Sequence, residues 1–176
     1  MEQPRAVYNV ALIGFMGTGK TSVGRLVAER LRFDFLDTDA AIEAKVGKPI
    51  SQIFAEDGES AFRQHEGEVV RSLECRRDTV IATGGGLVAN PGCLASLKTH
   101  ALIVCLWASP KTIWERVRHQ THRPLLLTED PQSRITLLLA QRVPFYRQAD
   151  VLLTTEHRSP MQLAQIVISQ FHMGKG

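Results

Sequence analysis

The sequence predicts an α/β protein built as three layers, αβα, around a central five-stranded parallel sheet. Three observations predict it. Five short apolar runs, each of strand length, alternate with segments of helical period, the signature of a parallel sheet covered on both faces. The first run leads through a glycine-rich turn directly into a helical pattern, as a βα unit does. A chain of 176 residues with a 44% hydrophobic share is the size of one ordinary domain, 1–176, able to bury a core without disulfides or metals.

The elements follow in order. From Tyr8 to Ile13 the apolar residues Val10, Ala11, Leu12 and Ile13 form the first strand. Gly14-Phe15-Met16-Gly17-Thr18-Gly19-Lys20-Thr21 comes next, and Val23, Leu26, Val27 and Leu31 then recur at helical spacing. A second strand runs from Phe33 to Asp37. The long helical stretch after it is broken at Gly47-Lys48-Pro49 and at Asp57-Gly58, enough chain for a substrate-binding insertion over about 38–66. Its last helix, from about Glu59 to Glu74, places Arg63 and Glu66 three apart on one face. The third strand, Thr79 to Thr83, ends in Gly84-Gly85-Gly86, and the fourth runs from Ala101 to Trp107. Ser109-Pro110 supplies an N-cap and first helical residue for a helix to about Arg118, and Ser159-Pro160 repeats the signal for the closing helix. Between them lie a polar, proline-broken segment over 118–131 that reads as a mobile lid, a helix from Arg134 to Gln148, and a fifth strand from Val151 to Thr155.

The residues from Gly14 to Thr21 fit G-x-x-x-x-G-K-[ST] at every fixed position and stand between a strand and a helix. Glycines let successive backbone N–H groups turn inward toward phosphate oxygens, and the helix start adds its positive dipole. Gly17, Thr18, Gly19, Lys20, Thr21 and Ser22 are the candidate ATP-binding set. Lys20 reaches toward the β- and γ-phosphates, and the Thr21 hydroxyl is a candidate Mg²⁺ ligand. Asp37 and Asp39 stand at the carboxyl end of the second strand, where open α/β sheets place ligands. Separated by one residue, they share a side if the chain stays extended. One can serve the metal and the other take the proton of an attacking hydroxyl; alternatively, Asp39 caps the next helix. Asp37 is the expected metal residue. Three consecutive glycines at 84–86 clear side chains from the strand end, so backbone can approach a ligand. Arg63, Arg123 and Arg142 each read in isolation as solvated charges. Together they offer a lid cation and two fork-like donors for a carboxylate, with Val143-Pro144 expected to break or kink the helix beside Arg142.

These segments resemble the shikimate kinase family, and the likeness runs along nearly the whole chain. It is carried by the phosphate-binding loop, Leu36-Asp37-Thr38-Asp39, the stretch from Ile53 to Glu59, Phe62-Arg63-Gln64-His65-Glu66, Thr83-Gly84-Gly85-Gly86, Arg123-Pro124-Leu125-Leu126 and Arg142-Val143-Pro144-Phe145-Tyr146. The resemblance implies a P-loop kinase fold and ATP-dependent phosphorylation of the shikimate 3-hydroxyl, a step toward chorismate and the aromatic amino acids. It implies that Asp39 binds substrate and acts as base, that Asp37 holds Mg²⁺ through water, and that Arg63 and Arg142 bind the substrate carboxylate. Gly85 and Gly86 would present backbone to ring hydroxyls, Arg123 would be the lid arginine, and Arg116 and Arg158 would flank adenine. Glu66 would anchor Arg63.

The competing readings are a related small-metabolite kinase, such as a gluconate kinase, and a non-catalytic nucleotide-binding regulator on the same fold. The first explains the two separated arginines and the triple glycine less economically; the second leaves Asp39 without a purpose. A net charge of +3 with scattered Lys and Arg favours small anionic ligands over nucleic acid. Cys75, Cys93 and Cys105 are odd in number and widely spaced, and read as reduced core thiols of a cytoplasmic protein. No apolar run approaches the roughly 20 residues that span a bilayer, and a monomer is expected.

Overall fold

A computed structural model describes residues 5–119 and 128–174. Five strands, β1 (Asn9–Ile13), β2 (Asp34–Asp37), β3 (Thr79–Ala82), β4 (Ala101–Trp107) and β5 (Val151–Thr154), form one sheet in the order β2-β3-β1-β4-β5. Every neighbouring pair is parallel. All strand carboxyl ends therefore share one edge, and pairing of β1 with β3 brings the loops after these two strands side by side.

The alternation of side chains along the strands builds two cores. Ala11, Ile13, Ile81, Ile103 and Cys105 face one layer, made by α4 (Gly58–Ser72), α5 (Pro91–His100), α6 (Pro110–Val117) and α7 (Pro131–Tyr146). Val10, Leu12, Val80, Leu102 and Val104 face the other, where α1 (Lys20–Leu31) contributes Val23 and Val27 and α8 (Pro160–Met173) contributes Leu163, Val167 and Phe171. Both faces are covered, which is why β1, β3 and most of β4 read as continuous apolar runs. The insertion after β2 comprises α2 (Thr38–Val46), α3 (Ile50–Glu56) and the start of α4, and Ile42, Ile53, Phe62 and Val69 give it a small core of its own. Gly47 ends α2 in the left-handed conformation with φ 74°. A Glu43 oxygen accepts the Ile50 N–H at 2.9 Å, closing the start of α3, whose own N-cap is a proline.

Three local expectations are revised. Helix α7 runs through Pro144 to Tyr146, short of the expected Gln148, so the proline does not break it. The same helix starts three residues before Arg134, at Pro131, because the Asp130 side chain accepts the Ser133 N–H and caps it. Cys75 is exposed, whereas Cys93 and Cys105 are buried, and burial pushes their thiols up to about 11 and about 12. The caps at Ser109 and Ser159 are as expected, Ser159 forming a full capping box with Gln162. Among the described residues, no helix is long and apolar enough to cross a membrane.

Candidate active site

The donor side begins where β1 runs into the loop. Gly17 (φ 75°) and Gly19 (φ 90°) hold left-handed backbone that glycine alone takes without strain. Gly19 is also the N-cap of α1 and offers no side chain to the first-turn N–H groups, so the positive pole of the helix faces outward. Thr18 Oγ1 donates to the Phe15 carbonyl at 2.8 Å and braces the turn. The Lys20 ammonium lies across the loop, donating to the carbonyls of Gly14 at 2.9 Å and Phe15 at 2.8 Å. Thr21 and Ser22 are exposed in the first turn of α1. Thr21 Oγ1 donates to Asp37 Oδ2 at 2.9 Å, setting two hard oxygens side by side at the end of the loop.

Asp37 and Asp39 do not share a side of an extended chain. Helix α2 starts at Thr38, between them, and the reason is Asp37 itself: its Oδ1 accepts the N–H groups of Asp39 at 3.1 Å and Ala40 at 3.4 Å. The helix cap is thus Asp37, not Asp39. Turning the chain one residue early leaves Asp37 on the phosphate-binding loop and swings Asp39 to the neighbouring glycines.

The triple glycine serves space rather than dihedral freedom, since none of the three has a positive φ. A Cβ on Gly84 would collide with Asp39 Oδ1. On Gly85 it would come within 3.2 Å of the Met16 nitrogen, and on Gly86 it would lie 3.1 Å from both terminal nitrogens of Arg63 and 3.4 Å from Arg142 Nη2. One carboxylate and two guanidinium groups therefore converge on bare backbone. The Gly84 N–H is held by Thr38 Oγ1 at 2.9 Å, and the Gly85 carbonyl accepts from Arg142 Nη1 at 2.9 Å and Tyr146 Oη at 3.2 Å. Asp39, Arg63, Arg142 and the three glycines line a cavity of about 460 Å³, whose other wall is largely apolar: Met16, Pro49, Ile50, Phe54 and Phe62. The two phenylalanine rings pack 4.7 Å apart.

Charge in the cavity is fixed by burial. Glu66 is 1% exposed and accepts from Arg63 Nη1 at 2.7 Å, while Glu59 accepts from Arg63 Nη2 at 3.0 Å. Burial raises the Glu66 carboxyl above its ordinary range, against the pull of Arg63, and nearby Asp39 adds to the rise. For Arg63, burial works against the charge, but Glu66 and then Glu59 outweigh it and leave its pKa raised. Arg63 stays cationic and is held from behind.

On the far side of the phosphate-binding loop, Arg116 Nη1 donates to Thr155 Oγ1 at 2.8 Å and to the Gly17 carbonyl at 3.2 Å. Arg158 Nη1 donates to the Thr154 carbonyl at 3.0 Å in the loop after β5. The two arginines thus belong to one junction beside the loop. Arg123, and with it most of the expected lid, lies outside the described residues.

Residues 16–172 match a family model described as shikimate kinase. The chain belongs to the shikimate kinase family. A shikimate kinase of Thermodesulfovibrio yellowstonii is 47% identical over 163 residues, spanning 93% of this chain and 94% of that one. Another, from Cupriavidus pinatubonensis, is 44% identical over 166 residues, spanning 94% and 86%. The solved structure of shikimate kinase from Acinetobacter baumannii in complex with shikimate matches with a TM-score of 0.91 at 36% identity, over 97% of this chain and 96% of that one. A gluconokinase from Sinorhizobium meliloti reaches a TM-score of 0.58 at 18% identity and shares the fold alone.

Membership of the shikimate kinase family makes the chain a phosphotransferase, and the geometry gives contacts to residues that the sequence left without a role. Thr38 holds Gly84, Tyr146 shares the Gly85 carbonyl with Arg142, and Glu43 closes the α3 wall. Tyr146 stands four residues after Arg142 on one helix, a spacing that does signal a shared face. Glu43 and the apolar wall carry no such local signal, because they meet the glycines only through the packing of the insertion.

Proposed function

We propose that the chain transfers the γ-phosphoryl group of ATP to the 3-hydroxyl of shikimate, giving shikimate 3-phosphate and ADP, a step toward chorismate and the aromatic amino acids. The observation that carries this reading is the convergence of Asp39, Arg63 and Arg142 on the bare Gly84–Gly86 backbone, in a cavity that adjoins the phosphate-binding loop. A flat, carboxylated cyclic alcohol suits that chemistry. Its carboxylate meets two guanidinium forks, its ring lies on Phe54, Phe62 and Ile50, and its hydroxyls meet Asp39 and the glycine backbone.

Asp39 accepts the proton of the 3-hydroxyl as that oxygen bonds to the γ-phosphorus and the bond from phosphorus to the β-γ bridging oxygen breaks, releasing ADP. Lys20 and the first-turn N–H groups of α1 hold the phosphates in line. Thr21 Oγ1 and Asp37 Oδ2, in contact at 2.9 Å, form a hard-oxygen pair that fits Mg²⁺, an ion commonly bound by one or two protein oxygens together with substrate phosphates. When bound, the ion neutralises charge on the β- and γ-oxygens. Arg123 is assigned as the lid arginine, and Arg116 and Arg158 as the flanks of the adenine. The chain acts as a single kinase domain, a monomer of the cytoplasm, and the buried thiols of Cys93 and Cys105 suit that reduced compartment.

A coupled assay of ADP release across shikimate, quinate, gluconate and AMP tests the reading. Turnover is expected with shikimate and to fall sharply with the other three. Gluconate or AMP supporting the higher kcat/KM overturns it.

A further inference from the structure

We infer that Glu156 is a positioning residue for the nucleotide: it clamps the loop after β5 onto the start of α6 and thereby holds Arg116 and Arg158 in place for the base. The inference rests on the reading that these two arginines flank the adenine.

Glu156 Oε1 accepts two hydrogen bonds from α6 and its cap, from the Ser109 N–H at 2.9 Å and from Thr112 Oγ1 at 2.9 Å. Ser109 Oγ in turn donates to Thr112 Oγ1 at 3.0 Å, so the carboxylate closes a small network at the positive end of the helix. The hydrogen bonds from Ser109 and Thr112 hold the Glu156 carboxyl down to about 2, and it is ionised wherever the protein is folded and active. The other end of α6 returns to the same loop. Arg116 Nη1 and Nη2 donate to Thr155 Oγ1 at 2.8 Å and to the Thr155 carbonyl at 3.2 Å, with Nη1 also on the Gly17 carbonyl. Loop, helix and phosphate-binding turn form one closed ring of contacts through two adjacent residues, Thr155 and Glu156.

The loop backbone shows why a clamp is needed. His157 adopts φ 59°, left-handed backbone that non-glycine residues take up rarely and keep only where their surroundings over-determine it. Glu156 ties the chain on one side of His157, and Arg158, bonded to the Thr154 carbonyl, ties it on the other. Release of Glu156 lets His157 relax, and with it the Thr155 carbonyl that holds Arg116 and the backbone that carries Arg158, while Thr154 stays fixed in β5. The acceptor cavity shares no lining residue with this junction, so the effect is confined to the donor.

The test compares Glu156→Ala, Glu156→Gln and Arg116→Ala in steady-state kinetics with each substrate varied in turn. Glu156→Ala is expected to raise KM for ATP by about fivefold or more, with KM for shikimate unchanged. Glu156→Gln is expected to recover most of the loss, because both donors converge on one oxygen that an amide carbonyl reproduces. If Arg116→Ala raises KM for ATP and Glu156→Ala does not, Glu156 has no positioning role. If Glu156→Ala raises both KM values alike, or lowers only the active fraction, its role is structural and the inference fails. If Arg116→Ala also leaves ATP affinity unchanged, the underlying assignment of the base site is what has failed.

Discussion

Asp37 and Asp39 lie two residues apart yet face different neighbours, the phosphate-binding loop and the glycines after β3, because Asp37 caps the helix that carries Asp39. Asp37 Oδ1 accepts the Asp39 N–H at 3.1 Å while its Oδ2 accepts from Thr21. The two roles of Asp37 separate on substitution. Asn caps helices as well as Asp does but lacks the charge a metal favours. Asp37→Asn should keep the unfolding free energy within about 0.5 kcal/mol and raise the Mg²⁺ concentration needed for half-maximal turnover. Asp39→Asn should bind ATP normally and lose about 10²–10⁴-fold in kcat. Near-normal turnover of Asp39→Asn in single-turnover experiments would remove Asp39 from the role of base.

The same pair shows what a sequence can and cannot disclose. The five strands, the loop between β1 and α1, and the caps at Ser109 and Ser159 are local: each depends on side-chain period or on a cap within one turn. The direction of Asp39 is not local in that sense, because it depends on the residue at which strand becomes helix, and a one-residue change reverses a side chain. The partners of the triple glycine are legible as types, a carboxylate and two arginines, yet their convergence on Gly84 and Gly86 needs the parallel pairing of β2 with β3 and the packing of the insertion and of α7. Glu156 acts on backbone more than forty residues away in sequence, beyond any spacing rule.

Gly84 offers a sharp test of the space argument. Its N–H is fixed by Thr38 Oγ1 and a Cβ would lie 3.2 Å from Asp39 Cγ, with Oδ1 closer still. Neither backbone can yield cheaply, so in Gly84→Ala the Asp39 carboxylate must rotate. The variant should lose about 100-fold in kcat, as misplacement of a reacting group by about 1 Å can do, while KM for ATP stays near that of the parent. Overpacking should also lower the unfolding free energy by about 1–3 kcal/mol. Gly67, inside α4 with open space where a Cβ would stand, is the control: Gly67→Ala should leave kcat unchanged and stabilise the fold by about 0.5–1 kcal/mol. Equal behaviour of the two variants in kinetics and urea unfolding would sink the explanation.

At the opposite edge of the sheet, His100 makes stability depend on pH. Asn9, fully buried, accepts the Thr79 N–H through Oδ1 at 3.0 Å and donates through Nδ2 to the Arg76 carbonyl at 2.9 Å. Those two backbone partners fix which way the amide points, so the contact of Nδ2 with His100 Nδ1 at 2.9 Å makes Nδ1 the acceptor and leaves the ring proton on Nε2. Protonation of Nδ1 sets two donors face to face. Burial is the main cause holding the His100 pKa below its ordinary value of 6.5; Glu74 pulls it up, and Arg77 and Arg5 push it further down. With the folded pKa below the unfolded one, the unfolded chain binds more protons as the medium acidifies. Stability is therefore complete above about pH 6.5 and is lost as pH falls through that value toward the folded pKa, at up to about 1.4 kcal/mol per pH unit. His100→Gln keeps an oxygen acceptor for Asn9 and does not titrate. Urea unfolding of both proteins from pH 7.5 down to pH 5.5 should show a shallower loss of stability in the variant, and an unchanged slope would mean that other groups carry the acid sensitivity.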